Sequence, residues 1–190
     1  MDKVERLFKD RSESSTDCDR LVKQIKDILV GDKSVHILFG SGNNGKTALL
    51  CIFKNIFKDK AFHLPFESLC SPELDNSYIP YIIDSEYIII IGNEHDSINP
   101  NIIKKLSTGF VCQYRKPYTN NWSQVNIKPK KIIMETITNP VDSVFTKNNE
   151  LQSITNIINF NKVIENQDWQ FFDDVSNNHY NDVYNYLINY

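Results

Sequence analysis

The 190-residue chain is long enough for one sizeable core and too short for two domains of ordinary size. With 41% hydrophobic and 24% charged residues it is not disordered as a whole, and a net charge of −3 excludes binding to nucleic acid by bulk positive charge. Cys18, Cys51, Cys70 and Cys112 never form a C-x-x-C pair, which argues against a zinc ribbon or redox motif and for free thiols in a reducing compartment.

Residues 1–33 read as an N-terminal helical segment, with Leu21, Val22, Ile25, Ile28 and Leu29 at helical spacing and Gly31-Asp32 as a stop. Its charged start fails as a signal peptide, and no run is long enough to span a bilayer. The polar stretch Ser12–Asp17 reads as a loop or cap. Val35–Phe39 predicts a buried strand that breaks at Gly40, and Leu49, Leu50, Phe53, Ile56 and Phe57 predict an amphipathic helix after it.

Tyr87-Ile88-Ile89-Ile90-Ile91 is the most apolar stretch and suits a central strand buried on both faces. Asn99-Pro100 predicts a cap and first turn for a helix running to Gly109. Two strands are expected between Phe110 and Ile127, around the turn-rich Lys116–Asn121, and another over Lys131–Ile137. Residues 145–164 are ambiguous between strand and helix, and 166–190 read as a C-terminal helical tail. The expected fold is α/β, a P-loop NTPase core over 34–165 with a central, mostly parallel sheet flanked by helices.

Gly40-Ser41-Gly42-Asn43-Asn44-Gly45-Lys46-Thr47 fits G-x-x-x-x-G-K-[ST] at every fixed position, and Ala48 continues into the predicted helix. A chance match in such a chain is on the order of one per cent. Glycines let successive backbone N–H groups turn toward an anion, and the helix N-terminus adds partial positive charge. Lys46 would reach the β- and γ-phosphates of ATP, and the Thr47 hydroxyl would ligate Mg2+.

Hydrolysis needs a carboxylate near the metal or the attacking water, at the end of a neighbouring strand. Glu94, just after the isoleucine strand, is the candidate, as a metal ligand with Thr47 and as a catalytic residue; Asp96 is the alternative. The residue before Glu94 is Asn93 rather than a second acid, which shifts the metal toward Thr47 and water. Asn139, after the Lys131–Ile137 strand, is positioned to orient the lytic water or touch the γ-phosphate, although an Asn-Pro there also makes an ordinary turn.

In this order the motifs resemble the superfamily three helicases of viruses and plasmids, in particular poxvirus-type primase-helicase NTPases. The matching residues are Gly40–Thr47, Ile88–Glu94, Lys105-Leu106-Ser107-Thr108-Gly109, Arg115 in Gln113–Tyr118, and Asn139-Pro140, within about residues 35 to 165. The resemblance implies an AAA+ core, assembly into a ring, ATP hydrolysis between subunits, and a hairpin near Arg115–Trp122 that moves along single-stranded DNA, with Lys128, Lys130 and Lys131 close behind. It also implies a viral protein at a cytoplasmic replication site, acting beside a larger replication protein.

Two departures point to a degenerate or truncated member without the primase domain of larger relatives. Phe110 replaces the family's second glycine or acid. No arginine follows Arg115, so the finger that accelerates hydrolysis about a thousandfold has no obvious source unless Arg115, Lys147 or a partner supplies it. Three readings stay open: a DNA-dependent ATPase motor, an accessory subunit that holds ATP without turnover, and a small P-loop kinase, which the missing lid arginines disfavour.

Overall fold

A computed structural model of the chain describes residues 2–92, 98–115, 121–137, 144–165 and 167–190. The chain begins with two helices, α1 (Lys3–Lys9) and α2 (Ser15–Val30). Ser14 caps α2 by accepting from the Asp17 N–H, and Leu21, Val22, Ile25 and Ile28 turn inward from one face. The strand–loop–helix expected next is present as β1 (Val35–Phe39) and α3 (Lys46–Phe57).

Five strands form one parallel sheet in the order β2-β3-β6-β1-β7: β2 (Ala61–His63), β3 (Tyr87–Ile90), β6 (Lys131–Thr136) and β7 (Thr155–Asn159) join β1. Short helices α4 (Glu67–Cys70) and α5 (Ile79–Asp84) lie between β2 and β3. The Asn99 side chain caps α6 (Pro100–Thr108) by accepting from the Asn101 N–H. β4 (Phe110–Arg115) and β5 (Trp122–Ile127) pair antiparallel as a separate two-stranded sheet. The segment that was ambiguous in sequence divides into α7 (Val144–Lys147), α8 (Asn149–Ile154) and β7. The expected fold class, α/β with a parallel central sheet between helical layers and a strand–glycine loop–helix at its start, is the one observed.

The period of two along each strand sorts side chains between the two layers. Val35, Ile37, Ile88, Ile90, Ile132 and Met134 face a core shared with α4, α5, α6 and α8. Leu38, Ile89, Ile133 and Ile158 face the other core, shared with α1, α2, α3, α9 (Trp169–Asn178) and α10 (Tyr180–Asn189). Both ends of the chain therefore close over α3. Arg6 Nη2 reaches the Asp168 carboxylate that caps α9, at 3.1 Å, and Asn55 Nδ2 donates to the Ser176 carbonyl at 2.7 Å.

The residue following β1 leads to the α3 layer, whereas the chain after β6 leads to the opposite layer through α7 and α8. Adjacent strands whose connections leave to opposite faces open a crevice at their carboxyl ends, where α/β folds bind ligands.

His36 on β1 is fully buried. Its Nε2 lies 3.0 Å from the Lys33 carbonyl and Nδ1 has no partner. Burial first, then nearby Lys131, pull its pKa down to about 4, against the Lys33 hydrogen bond. Because the folded value lies below the unfolded value of about 6.5, the contribution is whole above about pH 6.5 and is lost as pH falls toward about 4, ~3 kcal/mol in all. Urea unfolding at about pH 7 and about pH 4 should show a smaller acid loss for His36→Leu than for the wild type. Equal losses would remove His36 from the acid limb.

Candidate phosphate-binding site

The loop between β1 and α3 is built by backbone constraints that its residues meet. Gly45 caps α3 with φ 81°, a left-handed value, and an added Cβ would lie 2.4 Å from Arg11 Nε. At Gly40 an added Cβ would lie 2.3 Å from Asn44 Nδ2 and 2.4 Å from the Phe160 carbonyl oxygen. The loop is anchored on both sides: the Gly40 N–H donates to Thr136 of β6 at 3.3 Å, and the Asn43 carbonyl accepts from the Ile164 N–H at 2.7 Å.

Lys46 runs back over this loop. It is 4% exposed, and its Nζ donates to the carbonyls of Gly40 (2.7 Å) and Ser41 (2.9 Å) and to Asn44 Oδ1 (2.9 Å). Burial lowers its pKa, opposed by the charge of Glu135. The ammonium thus sits inside the turn, on acceptors that an incoming phosphate oxygen can replace.

Glu135 is the residue that sequence reading missed. It lies on β6 beside Leu38 of β1, on the α3 face, and is 2% exposed. Thr47 Oγ1 donates to Glu135 Oε2 at 2.8 Å. Burial raises the carboxyl pKa, and the Thr47 hydrogen bond and Lys46 hold it down against that rise. Its one signal in the sequence is a carboxylate inside an otherwise apolar strand, since strand interiors seldom bury an acid without a partner.

Gly42–Ala48, Glu135, Ile137, Gln167, Trp169 and Phe172 line an open cleft of about 200 Å³. A threonine hydroxyl and one carboxylate are hard oxygen donors, the set Mg2+ takes when phosphates and water complete its shell. The pair therefore fits that ion. Among the described residues no cluster of three or more His, Cys, Asp or Glu could hold a metal unaided.

The other expected site residues lie elsewhere. Glu94 and Asn139, with Asn93, Asp96 and Pro140, lie outside the described residues. Arg115 is the last residue of β4, paired with Trp122 at the end of the hairpin where the two strands are joined, and does not line the cleft. The basic cluster behind the hairpin is corrected by the structure: Lys130 is 3% exposed and donates to the Ile83 and Ser85 carbonyls at the end of α5, and Lys131 donates to the Gly31 carbonyl. Only Lys128 of the three is exposed. Among the described residues no helix is long and apolar enough to cross a membrane.

No family model and no curated protein matches the chain in sequence. Solved structures match it in fold. The apo A form of the NrS-1 C-terminal region is similar at TM-score 0.63 and 20% identity, over 97% of this chain and 44% of that one. A second structure of that region gives 0.57 at 16% identity, over 94% and 42%. JCV helicase with a bound acetamide compound gives 0.50 at 13% identity, over 97% and 50%. The chain thus spans half or less of these three structures, and at these identities the likeness is one of fold.

Proposed function

We propose that this chain is a viral-helicase-like ATPase domain that binds ATP with Mg2+ in the P-loop and couples hydrolysis to movement along single-stranded nucleic acid, DNA being the expected strand. The observation that carries the reading is the Lys46 ammonium inside the loop, with Thr47 beside a buried carboxylate at the switch point of a parallel sheet. Gly42 supports it: an added Cβ there would meet nothing within 4 Å, so the protein's own packing does not demand glycine, whereas a close phosphate would.

Lys46 and the first N–H groups of α3 would hold the β- and γ-phosphates. Thr47 and Glu135 would hold Mg2+, which supplies charge neutralisation on the phosphate oxygens. Trp169, 65% exposed at the cleft wall, offers a face for the nucleobase. From their places in the sequence, Glu94 would position the attacking water and Asn139 the γ-phosphate. Self-association into a ring would have to bring a neighbouring copy's Arg115 or Lys147 to the γ-phosphate, because no arginine follows Arg115 in the chain.

The hairpin presents Arg115 with Trp122, and Gln113 with Gln124, along one exposed face, while Phe110, Cys112 and Tyr114 turn inward. Trp122 is 61% exposed. An aromatic beside a cation suits stacking on a base, worth about 1–3 kcal/mol. Trp122→Ala is therefore expected to weaken binding of a labelled oligo-dT about tenfold by fluorescence anisotropy, with ATP affinity intact. Unchanged DNA affinity would move the contact elsewhere.

ATP turnover measured with and without single-stranded DNA tests the whole reading. Stimulated hydrolysis is expected. Tight ATP binding without turnover would instead favour an accessory subunit of a larger helicase, consistent with the absence of any arginine after Arg115.

A further inference from the structure

Arg11 lies in the turn between α1 and α2 and is 1% exposed. Nη1 donates to the Leu7 carbonyl at 2.5 Å, but Nε and Nη2 have no hydrogen-bond partner. The guanidinium rests on the Phe172 ring, 4.7 Å from its centroid, and among the described residues the charge that acts on it is that of its chain neighbour Asp10. Burial lowers its pKa to about 10, with Asp10 opposing, so it remains charged at neutral pH. A buried charge with two idle donors destabilises a fold unless something else compensates it.

What those donors face is the phosphate loop. A Cβ added to Gly45 would lie 2.4 Å from Nε and 2.5 Å from Nη2, so the unpaired edge of the guanidinium lies against the N-cap of α3. Phe172, on which the guanidinium rests, also lines the cleft. The sheet side of the same helix start carries Glu135, a negative charge that an approaching polyphosphate would meet. A positive charge behind Gly45 counters that repulsion through an interior that screens poorly.

We propose that Arg11 is a positioning residue of the nucleotide site, a buried charge behind Gly45 that strengthens polyphosphate binding at the N-terminus of α3. The inference rests on the phosphate-loop reading above and assigns the N-terminal helical pair a part in nucleotide binding. The anion supplies the compensation that the fold withholds from Arg11, so stability is exchanged for affinity. A purely structural arginine would behave in the opposite way, with its removal lowering stability first.

The test uses the full chain with inorganic tripolyphosphate and ADP as probes, by calorimetry and thermal melting. Arg11→Met keeps the volume and removes the charge. It is expected to melt higher than the wild type without ligand and to bind tripolyphosphate about tenfold more weakly, with Arg11→Lys between the two. Wild-type affinity in Arg11→Met overturns the inference, as does a variant that melts lower and binds normally. Should Arg11→Met fail to fold, Arg11→Gln against Arg11→Lys decides: weaker binding by the glutamine variant supports the role, and equal affinity overturns it. A wild-type protein that binds neither probe overturns the phosphate-loop reading and this inference with it, whereas wild-type binding that Arg11→Met leaves unchanged overturns this inference alone.

Discussion

Lys46→Ala is expected to reduce ATP affinity by roughly two orders of magnitude, because it deletes the ammonium that closes the loop and, on the proposed reading, would meet the phosphates. In the unliganded fold Nζ satisfies the carbonyls of Gly40 and Ser41 and Asn44 Oδ1. Ser41 is exposed and can turn to water, but Gly40 and Asn44 are buried. The variant should therefore also melt lower, by the ~1–3 kcal/mol that follows from leaving buried acceptors unpaired. Calorimetric titration with ATP and Mg2+ separates the two effects, since a variant that is folded but does not bind retains a cooperative melt. Wild-type affinity in a folded Lys46→Ala protein would end the nucleotide reading and everything built on it.

Glu135→Gln is expected to uncouple nucleotide binding from Mg2+. The amide keeps the shape and can still accept from Thr47, so the 2.8 Å contact survives while the charge is lost. With the metal chelated, ADP should bind as well as, or better than, it does to the wild type, because a buried negative charge near the phosphates is gone. With Mg2+ present, the metal's enhancement of binding should shrink about tenfold or more, since a neutral amide is a poor ligand for a hard cation. The same titrations on Glu94→Gln assign the metal between the two carboxylates. An unchanged Mg2+ enhancement in Glu135→Gln, lost instead in Glu94→Gln, would return the role to Glu94.

Much of the architecture is legible in local pattern. Val35–Phe39 with Gly40–Thr47 and the apolar spacing of Leu49, Leu50, Phe53 and Phe57 states strand, glycine-rich loop and helix without any long-range information, because each signal is a neighbour-to-neighbour constraint on backbone angles or on one face of a helix. Asn99-Pro100 marks the start of α6 for the same reason. The hairpin strands were visible, but the roles of Lys130 and Lys131 were not: composition reads a basic run as a solvated patch, whereas the fold uses both ammonium groups on backbone carbonyls at the ends of α5 and α2.

By itself the sequence located the loop, its strand and its helix, and marked Lys46 and Thr47 as the residues to test for phosphate and metal binding. Tertiary structure alone decided which distant residues complete the site. β6 lies beside β1 across nearly a hundred residues of chain, by the register Leu38 to Glu135, and only that pairing brings the Glu135 carboxylate to Thr47. Arg11 reaches Gly45 because α1 and α9 close over α3 from opposite ends of the chain. Period-two and period-3.6 patterns say which face a side chain takes, but not which element will cover that face, because that choice is made by packing between segments far apart in sequence.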